Sequence, residues 1–297
     1  HAFADSVVAK QLLESQSSQS SGHCPFIPVF GAPQVMFVRG QGTELWDASG
    51  KHYLDFISGI SVTSLGHSHP VVTAAICEQA ATLMHVSNFF TNPVATEAAV
   101  MVDKLLGGGG QVFFCNSGAE ANEAAIKLSR LTGKSHIVSL HGSFHGRTMG
   151  AISLTGQPKK YKPFQPVMPD VSFIAPNDIS DLEPGINSKT AALWVEPIMG
   201  EGGVMPLTSE YMNAARAVTA KHEAMFVVDE VQTGIARTGS WFAHQNVGVD
   251  PDVLLLAKGL GGGFPIGAMV AYGEYQDLMT QGLHGTTYGG NAVACSA

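Results

Sequence analysis

The sequence predicts an α/β fold built around a mostly parallel sheet, and three observations point to it. Short apolar segments recur along the chain, these segments are continuously apolar rather than alternating, and helix-like segments separate several of them. Continuously apolar strands are typical of sheets that are buried on both faces, as parallel sheets are when their crossover helices cover them. We therefore expect helices to flank a central sheet.

The predicted strands lie between residues 111 and 272, and amphipathic segments stand between some of them. The apolar runs cover residues 111–115, 136–140, 191–195, 224–228, 253–257 and 267–272. Residues 119–131 predict a helix because Ala121, Ala125, Leu128 and Leu131 share one helical face, and Gly133 ends it. Residues 209–222 predict a second amphipathic helix.

The N-terminal part of the chain has a different pattern. Residues 44–56 predict a two-stranded hairpin with its turn at Ser49 and Gly50. We place a domain boundary near Gly66, so that residues 1–65 form an N-terminal segment of a small α+β domain and residues 66–297 a large domain. Residues 14–22 are polar and of low complexity, and we expect residues 1–25 to be flexible.

The composition narrows the class of protein. The net charge is −8, from 16 basic and 24 acidic residues, and without a basic run we expect no nucleic-acid partner. The four cysteines are widely spaced, which favours neither a disulfide framework nor a zinc cluster. No apolar run approaches a membrane span, so we expect no membrane partner, and the scarcity of cysteines makes the cytoplasm the expected compartment. His141 and His145 flank a glycine-containing loop, and we expect no metal site there.

Polar residues follow three of the predicted strands. Residues 116–119 (Asn-Ser-Gly-Ala) stand between a strand and a helix, where free amides can hold an anion, or where Ser117 is an ordinary helix cap. Asp229 and Glu230 follow the run 224–228, and Lys258 follows the run 253–257. Lys258 is either a surface lysine that reaches solvent or a desolvated amine that attacks carbonyl groups.

The three strand ends together are more specific than any one of them. Ligands bind beyond the carboxyl ends of strands in open parallel sheets. A phosphate site, a carboxylate and a lysine in one crevice are what pyridoxal phosphate needs. The lysine forms a Schiff base with the aldehyde, and the carboxylate keeps the pyridine nitrogen protonated. A pyridinium partner would also explain why Asp229 stands at the end of a buried strand.

Six motifs, in this order along the chain, carry a resemblance to a known family. They are "NSGAEANEAAIKLSR", "SFHGRT", "WVEPIMGEGGV", "VVDEVQTGIARTG", "LLLAKGLGGGFPIGA" and "HGTTYGGN". From residue 27 onwards the chain resembles the class III (subgroup II) pyridoxal-phosphate aminotransferases. The resemblance implies fold type I, with a mostly parallel seven-stranded sheet in a large cofactor-binding domain. It also implies a C-terminal small domain, of which this sequence shows no counterpart.

The resemblance also implies roles for individual residues. Lys258 is expected to be the Schiff-base lysine and Asp229 the partner of the pyridine nitrogen. The remaining cofactor contacts are expected from Ser117, Gly118 and Ala119 (phosphate), Phe144 and Val231 (ring faces), Gln232 (ring oxygen), Glu230, and Thr287 (the partner subunit's phosphate). The substrate contacts are expected from Arg147 (carboxylate), Glu196, Glu201 and Thr286.

Within the family the resemblance is strongest to members that act on N-acetylornithine. It implies transfer of the terminal amino group to 2-oxoglutarate by a homodimer. The alternatives are another ω-aminotransferase of the class, acting on ornithine, succinylornithine or 4-aminobutyrate, and a non-catalytic cofactor-binding paralogue. A dehydrogenase-like nucleotide binder is a weaker alternative, because no G-x-G-x-x-G follows a first strand with an acidic residue at the required distance.

Overall fold

The computed structural model describes residues 26–31 and 33–297, so the segment expected to be flexible, 1–25, lies outside the described residues. The chain divides into two compact units. The smaller one extends to Ser58 and includes Leu65–His69, and the larger one consists of Gly59–Ser64 and Pro70–Ala297. The predicted boundary near Gly66 falls within the second segment of the smaller unit.

The smaller unit contains a three-stranded antiparallel sheet in the order β1-β2-β3. Its strands are β1 (Phe37–Gln41), β2 (Glu44–Asp47) and β3 (His52–Leu54). The predicted hairpin is confirmed, since β2 pairs antiparallel with β3. Its turn is held by Asp47, whose Oδ1 accepts hydrogen bonds from the amides of Ser49 and Lys51, while Gly50 supplies a φ of 85°.

The larger unit contains a seven-stranded sheet in the order β4-β12-β11-β10-β7-β5-β6. Every strand runs in the same direction except β12, which pairs antiparallel with both of its neighbours. The predicted α/β class with a mostly parallel sheet is therefore confirmed. The strands are β4 (Gly110–Cys115), β5 (His136–Leu140), β6 (Val171–Ile174), β7 (Thr190–Val195), β10 (Met225–Asp229), β11 (Val253–Leu256) and β12 (Gly267–Tyr272).

A two-stranded ribbon and the helices complete the fold. The ribbon pairs β8 (Ile198–Met199) with β9 (Met205–Pro206). The helices are α1 (Ser58–Ser61), α2 (Pro70–Thr82), α3 (Pro93–Leu105), α4 (Gly118–Arg130), α5 (Met149–Leu154), α6 (Pro158–Tyr161), α7 (Leu182–Gly185), α8 (Ser209–Lys221) and α9 (Ala292–Ser296). Within residues 26–31 and 33–297 none of the helices has the length and apolarity that a membrane crossing requires.

Two hydrophobic cores lie on opposite faces of the large sheet. Successive residues of β10 alternate between them: Met225 and Val227 pack in one core, Phe226 and Val228 in the other. Helix α4 packs on the first face and α8 on the second. This two-sided burial explains why the strands are continuously apolar. Because β4, β5, β7, β10 and β11 run in the same direction, their carboxyl ends lie at one edge of the sheet, where polar residues follow them.

Candidate active site

A cavity of about 440 Å³ opens at this edge of the sheet in the larger unit. Among the predicted residues that line it are Ser117, Gly118, Ala119, Phe144, Arg147, Glu196, Glu201, Asp229, Val231, Gln232 and Lys258. The three strand ends singled out in the sequence therefore converge on one cavity. Strand register explains the convergence. Val228 is paired with Val195, so the next residues of these two strands, Asp229 and Glu196, lie side by side. Asp229 is also paired with Leu255, which stands three residues before Lys258.

Asp229 lies at the base of this cavity and is only 4% exposed. Its Oδ1 accepts a hydrogen bond from the amide of Val231 at 3.0 Å. Its Oδ2 accepts one from Asn122 Nδ2 at 3.0 Å and lies 2.8 Å from His145 Nδ1. A buried carboxylate is stable only when donors replace its lost water, and three donors do so here.

This network is formed by Asn122, His145 and Trp194, none of which is predicted from the sequence as a site residue. Trp194 Nε1 donates to Asn122 Oδ1 at 2.9 Å, so the tryptophan fixes the amide that in turn binds Asp229. The signals were present but weak. Asn122 is a buried polar residue on an apolar helix face, and Trp194 is an indole within an otherwise aliphatic strand.

The N-terminus of α4 forms one wall of the cavity. Ser117 is the N-cap, and its Oγ accepts a hydrogen bond from the amide of Glu120 at 3.2 Å. The cap interpretation is therefore correct, and it leaves the first amides, those of Gly118 and Ala119, without an intrahelical acceptor. A Cβ atom at Gly118 would lie 2.8 Å from both γ-methyl groups of Val231. Glycine is thus required for the close approach of α4 to the segment after Asp229.

Lys258 stands two residues after the end of β11. Its own backbone is in the left-handed conformation, with a φ of 46°. Its amine has no hydrogen bond or ion pair within the described part of the chain. Desolvation lowers the pKa of Lys258, and the nearby Asp229 and Glu196 charges oppose that shift. A lowered pKa increases the fraction of neutral amine, which is the nucleophilic and proton-accepting form.

Glu196 follows β7 and is buried beside this lysine. Desolvation raises the pKa of Glu196 to about 7, a shift that Asp229 reinforces and His145 opposes. Its Oε1 accepts a hydrogen bond from the amide of Phe144 at 2.9 Å, which fixes the loop that carries Phe144 and Arg147. Glu196 therefore sets the position of that loop and exchanges a proton near neutral pH.

The comparisons with known proteins agree with this geometry. The family model described as "Aminotransferase class-III" matches residues 30–297. The chain belongs to the class III aminotransferases. The family resemblance predicted from the motifs is thus confirmed.

Individual proteins that this chain resembles are aminotransferases by name. It is 53% identical to the acetylornithine aminotransferase of Streptomyces coelicolor over 90% of this chain and 67% of that protein. The solved N-acetylornithine aminotransferase of Stenotrophomonas maltophilia is 38% identical with a TM-score of 0.76, covering 90% of this chain and 67% of that one. Ornithine aminotransferase from Toxoplasma gondii, solved with partial occupancy of pyridoxal phosphate, is 32% identical with a TM-score of 0.85 and covers 97% and 68%.

Glu230, which the family resemblance placed at the cofactor, lies outside the cavity of this aminotransferase. Its carboxylate accepts hydrogen bonds from Thr233 Oγ1 and from the amides of Ala243 and His244, and it lies 2.8 Å from His244 Nδ1. The side chain of Glu230 alternates with that of Asp229 and points away from the cavity, because neighbouring residues of an extended chain face opposite sides. Within this chain the Glu230 carboxylate fixes the loop that follows it.

Thr286 and Thr287 also lie outside the aminotransferase cavity. Both line a separate depression of about 330 Å³. Thr286 Oγ1 accepts hydrogen bonds from Asn116 Nδ2 at 3.3 Å and from the amide of Gly289 at 3.1 Å. Thr287 is exposed. Within this one chain neither hydroxyl is therefore positioned at the cavity, and their predicted roles need a second subunit or a bound substrate.

Residues 26–31 and 33–297 contain no group of three or more His, Cys, Asp and Glu side chains that could hold a metal ion.

Proposed function

We propose that this aminotransferase binds pyridoxal phosphate and transfers the terminal amino group of N-acetylornithine to 2-oxoglutarate. The observation that carries the proposal is the convergence of Asp229, Lys258 and the N-terminus of α4 on one cavity. Support for the substrate comes from relatives at about half identity that are named acetylornithine aminotransferases. The chain spans about two thirds of the length of those relatives.

The residues present fit each part of this cofactor. The free amides of Gly118 and Ala119 at the positive end of α4 suit a phosphate. Asp229, held by three donors, suits a protonated pyridine nitrogen because a fixed carboxylate stabilises a neighbouring positive charge. The ring of Phe144 and the side chain of Val231 line the same cavity and provide apolar surfaces for a flat aromatic ring.

The protein's part in the chemistry follows from these positions. When bound, the cofactor supplies an electron sink that stabilises the carbon from which a proton is removed. Asp229 holds a proton at the ring nitrogen, and this keeps the sink effective. Lys258, whose pKa is lowered by desolvation, accepts a proton on its amine and returns it at a second position. Arg147 binds a substrate carboxylate, for which a guanidinium offers two parallel N–H donors.

A homodimer is part of the proposal. Apolar side chains of the larger unit are exposed around α2 and α3, including Met84, Phe89, Phe90, Val100 and Met101. An apolar surface of this kind is typical of a protein–protein interface. We propose that a second copy covers it and that Thr287 then reaches the partner's cofactor. Sedimentation across a dilution series checks this: activity that persists in the monomer contradicts it.

We place the reaction in the cytoplasm. Cys77, Cys115 and Cys295 are free thiols, which is typical of a reducing compartment.

The deciding experiment records visible absorbance of the purified protein with pyridoxal phosphate, before and after N-acetylornithine is added. The parent and Lys189→Ala, which changes an exposed lysine, should show a visible band that the amine bleaches, whereas Lys258→Ala should show no lysine-dependent band. Absence of such a band in the parent rejects the cofactor. A band that 4-aminobutyrate or ornithine bleaches faster than N-acetylornithine rejects the substrate and favours another ω-aminotransferase.

A further inference from the structure

Helix α5 directly follows the loop that carries Arg147 into the cavity. Among the described residues, the side chain of its N-cap residue, Thr148, makes no capping hydrogen bond to this helix. The first amides of a helix have no acceptor within the helix, so they need one from elsewhere. Here the acceptor belongs to a different helix, because Glu123 Oε1 accepts hydrogen bonds from the amides of Gly150 at 2.9 Å and Ala151 at 3.3 Å.

Glu123 belongs to α4, whose first residues, Gly118 and Ala119, line the same cavity. Its carboxylate packs on the backbone of Gly150, where a Cβ atom would lie 2.8 Å from Glu123 Oε1. Glycine at position 150 therefore admits the carboxylate to the helix end. The side chain of Glu123 thus connects the first turns of α4 with the N-terminus of α5.

A second close contact joins α4 to the same loop. Gly146 has a φ of 136°, and a Cβ atom there would lie 2.9 Å from the Cβ atoms of both Ala119 and Ala151. The backbone at Gly146 is therefore packed between α4 and α5. Arg147 is the next residue, so the position of its backbone depends on how these two helices are held together.

The start of the loop has anchors of its own. The amide of Phe144 donates to Glu196 Oε1 at 2.9 Å, and the amide of His145 donates to Thr155 Oγ1 at 3.0 Å. The contact of Glu123 with α5 holds the opposite end of the loop. Removal of that contact would therefore release the later part of the loop while its start stays in place.

We propose that Glu123 is a positioning residue for substrate binding: by capping α5 it fixes the part of the loop from which Arg147 binds a substrate carboxylate. The role of Arg147 rests on the proposed function. Within the described part of the chain Glu123 is not among the residues that line the cavity, so it acts through the backbone that it binds. A guanidinium holds a carboxylate by two parallel hydrogen bonds, and a small displacement of the loop breaks one of them.

Three substitutions at position 123 separate the hydrogen bonds from the charge. Glu123→Ala removes both hydrogen bonds, and we expect about 10-fold weaker carboxylate binding, the size of one charge-assisted hydrogen bond at the displaced guanidinium. Glu123→Gln keeps a carbonyl oxygen that can accept the same two hydrogen bonds, so binding should stay within about threefold of the parent. Glu123→Asp keeps the charge but is one methylene group shorter, so it should resemble Glu123→Ala.

The test is a calorimetric titration of the holoenzyme with glutarate, a dicarboxylate that has no group to transaminate. Glu123→Ala and Glu123→Asp should weaken the glutarate Kd, and Glu123→Gln should preserve it. Thr208→Ala is the matched control, because Thr208 caps α8 by accepting from the amide of Tyr211 at 3.1 Å and is not among the described residues that line the cavity. This control should lose stability and keep the glutarate Kd of the parent.

Three results overturn the proposal. They are an unchanged glutarate Kd in Glu123→Ala and Glu123→Asp, an equal weakening in Thr208→Ala, and no glutarate binding by the parent. If Glu123→Ala does not fold, the comparison of Glu123→Asp with Glu123→Gln decides, because both keep a polar group at the end of α5.

Turnover separates this proposal from the proposed function. If glutarate affinities follow the expected order but N-acetylornithine is not a substrate, the positioning role of Glu123 stands and the amine donor is wrong. If N-acetylornithine reacts but Glu123→Ala leaves the glutarate Kd and the KM for 2-oxoglutarate unchanged, the function stands and the role of Glu123 is wrong.

Discussion

His145 Nδ1 lies 2.8 Å from Oδ2 of Asp229, with both side chains buried at the base of the cavity. A carboxylate can only accept, so the proton of this contact belongs to the imidazole. The other ring nitrogen, Nε2, is buried and finds no acceptor or donor among the described residues. The imidazole therefore contacts Asp229 through Nδ1 alone, and this contact fixes the orientation of the Asp229 side chain.

The first prediction concerns this contact. His145→Ala should weaken retention of pyridoxal phosphate by about 10- to 100-fold, since a hydrogen bond to a charged group contributes about 1.5–3 kcal/mol. Equilibrium dialysis with absorbance detection measures the cofactor Kd. His141→Ala is the control, because His141 is exposed on the same loop. Equal cofactor affinity in both variants and the parent contradicts the role given to His145.

The second prediction tests the far end of the same network. Trp194→Phe removes the donor that Asn122 Oδ1 accepts and leaves a buried carbonyl oxygen without a partner. We expect the free energy of unfolding to fall by about 1–3 kcal/mol, measured by urea denaturation. Trp241→Phe makes the same change at a half-exposed position and should leave the unfolding midpoint unchanged. Equal stabilities for the two variants count against the network.

The third prediction concerns the close approach of α4 to Val231. Gly118→Ala places a methyl group within 2.8 Å of the Val231 γ-methyls, and overpacking of this kind costs about 1–3 kcal/mol. We expect lower stability and weaker cofactor binding. Adding Val231→Ala to Gly118→Ala makes room and should recover part of the lost stability. A double variant that is no more stable than Gly118→Ala shows that strain elsewhere is responsible.

Strand positions were predictable where burial is two-sided. Six strands of the large sheet coincide with continuous apolar runs, because their residues face two cores. The exception is β6 (Val171–Ile174), which is not predicted from the sequence. It is an edge strand paired only with β5, its first three residues are only partly buried, and Ser172 interrupts its apolar run.

Site residues were predictable where a motif follows a strand, and less so where contacts join distant segments. Asp229 ends β10 and Lys258 stands two residues after β11, so their place at the carboxyl edge follows from topology. Asn122 and His145 meet Asp229 across 107 and 84 residues of sequence, and no local pattern connects them. The pairing of Lys160 with Glu201 spans 41 residues and depends on α6 and the β8–β9 ribbon.

The fourth prediction is a pH dependence of stability that comes from Glu196. Burial raises its pKa from 4.5 to about 7, so the folded protein binds more protons than the unfolded chain between these two values. The contribution of Glu196 to the free energy of unfolding is therefore fully present below pH 4.5 and is lost as the pH rises through 7. A shift of this size corresponds to at most about 3 kcal/mol. Urea unfolding at pH 5 and pH 8 measures the difference.

Glu196→Gln removes the titrating carboxyl group and keeps an acceptor for the Phe144 amide, so it is the matched variant for this prediction. The variant should lose less stability than the parent between pH 5 and pH 8, because its amide stays neutral throughout. His145 and Asp229 face Glu196 and are present in both proteins, so the comparison isolates the effect of the Glu196 carboxyl group. Parallel pH profiles for parent and variant mean that Glu196 is already ionised in the folded protein at pH 5, and its proton is then not available to the chemistry near neutral pH.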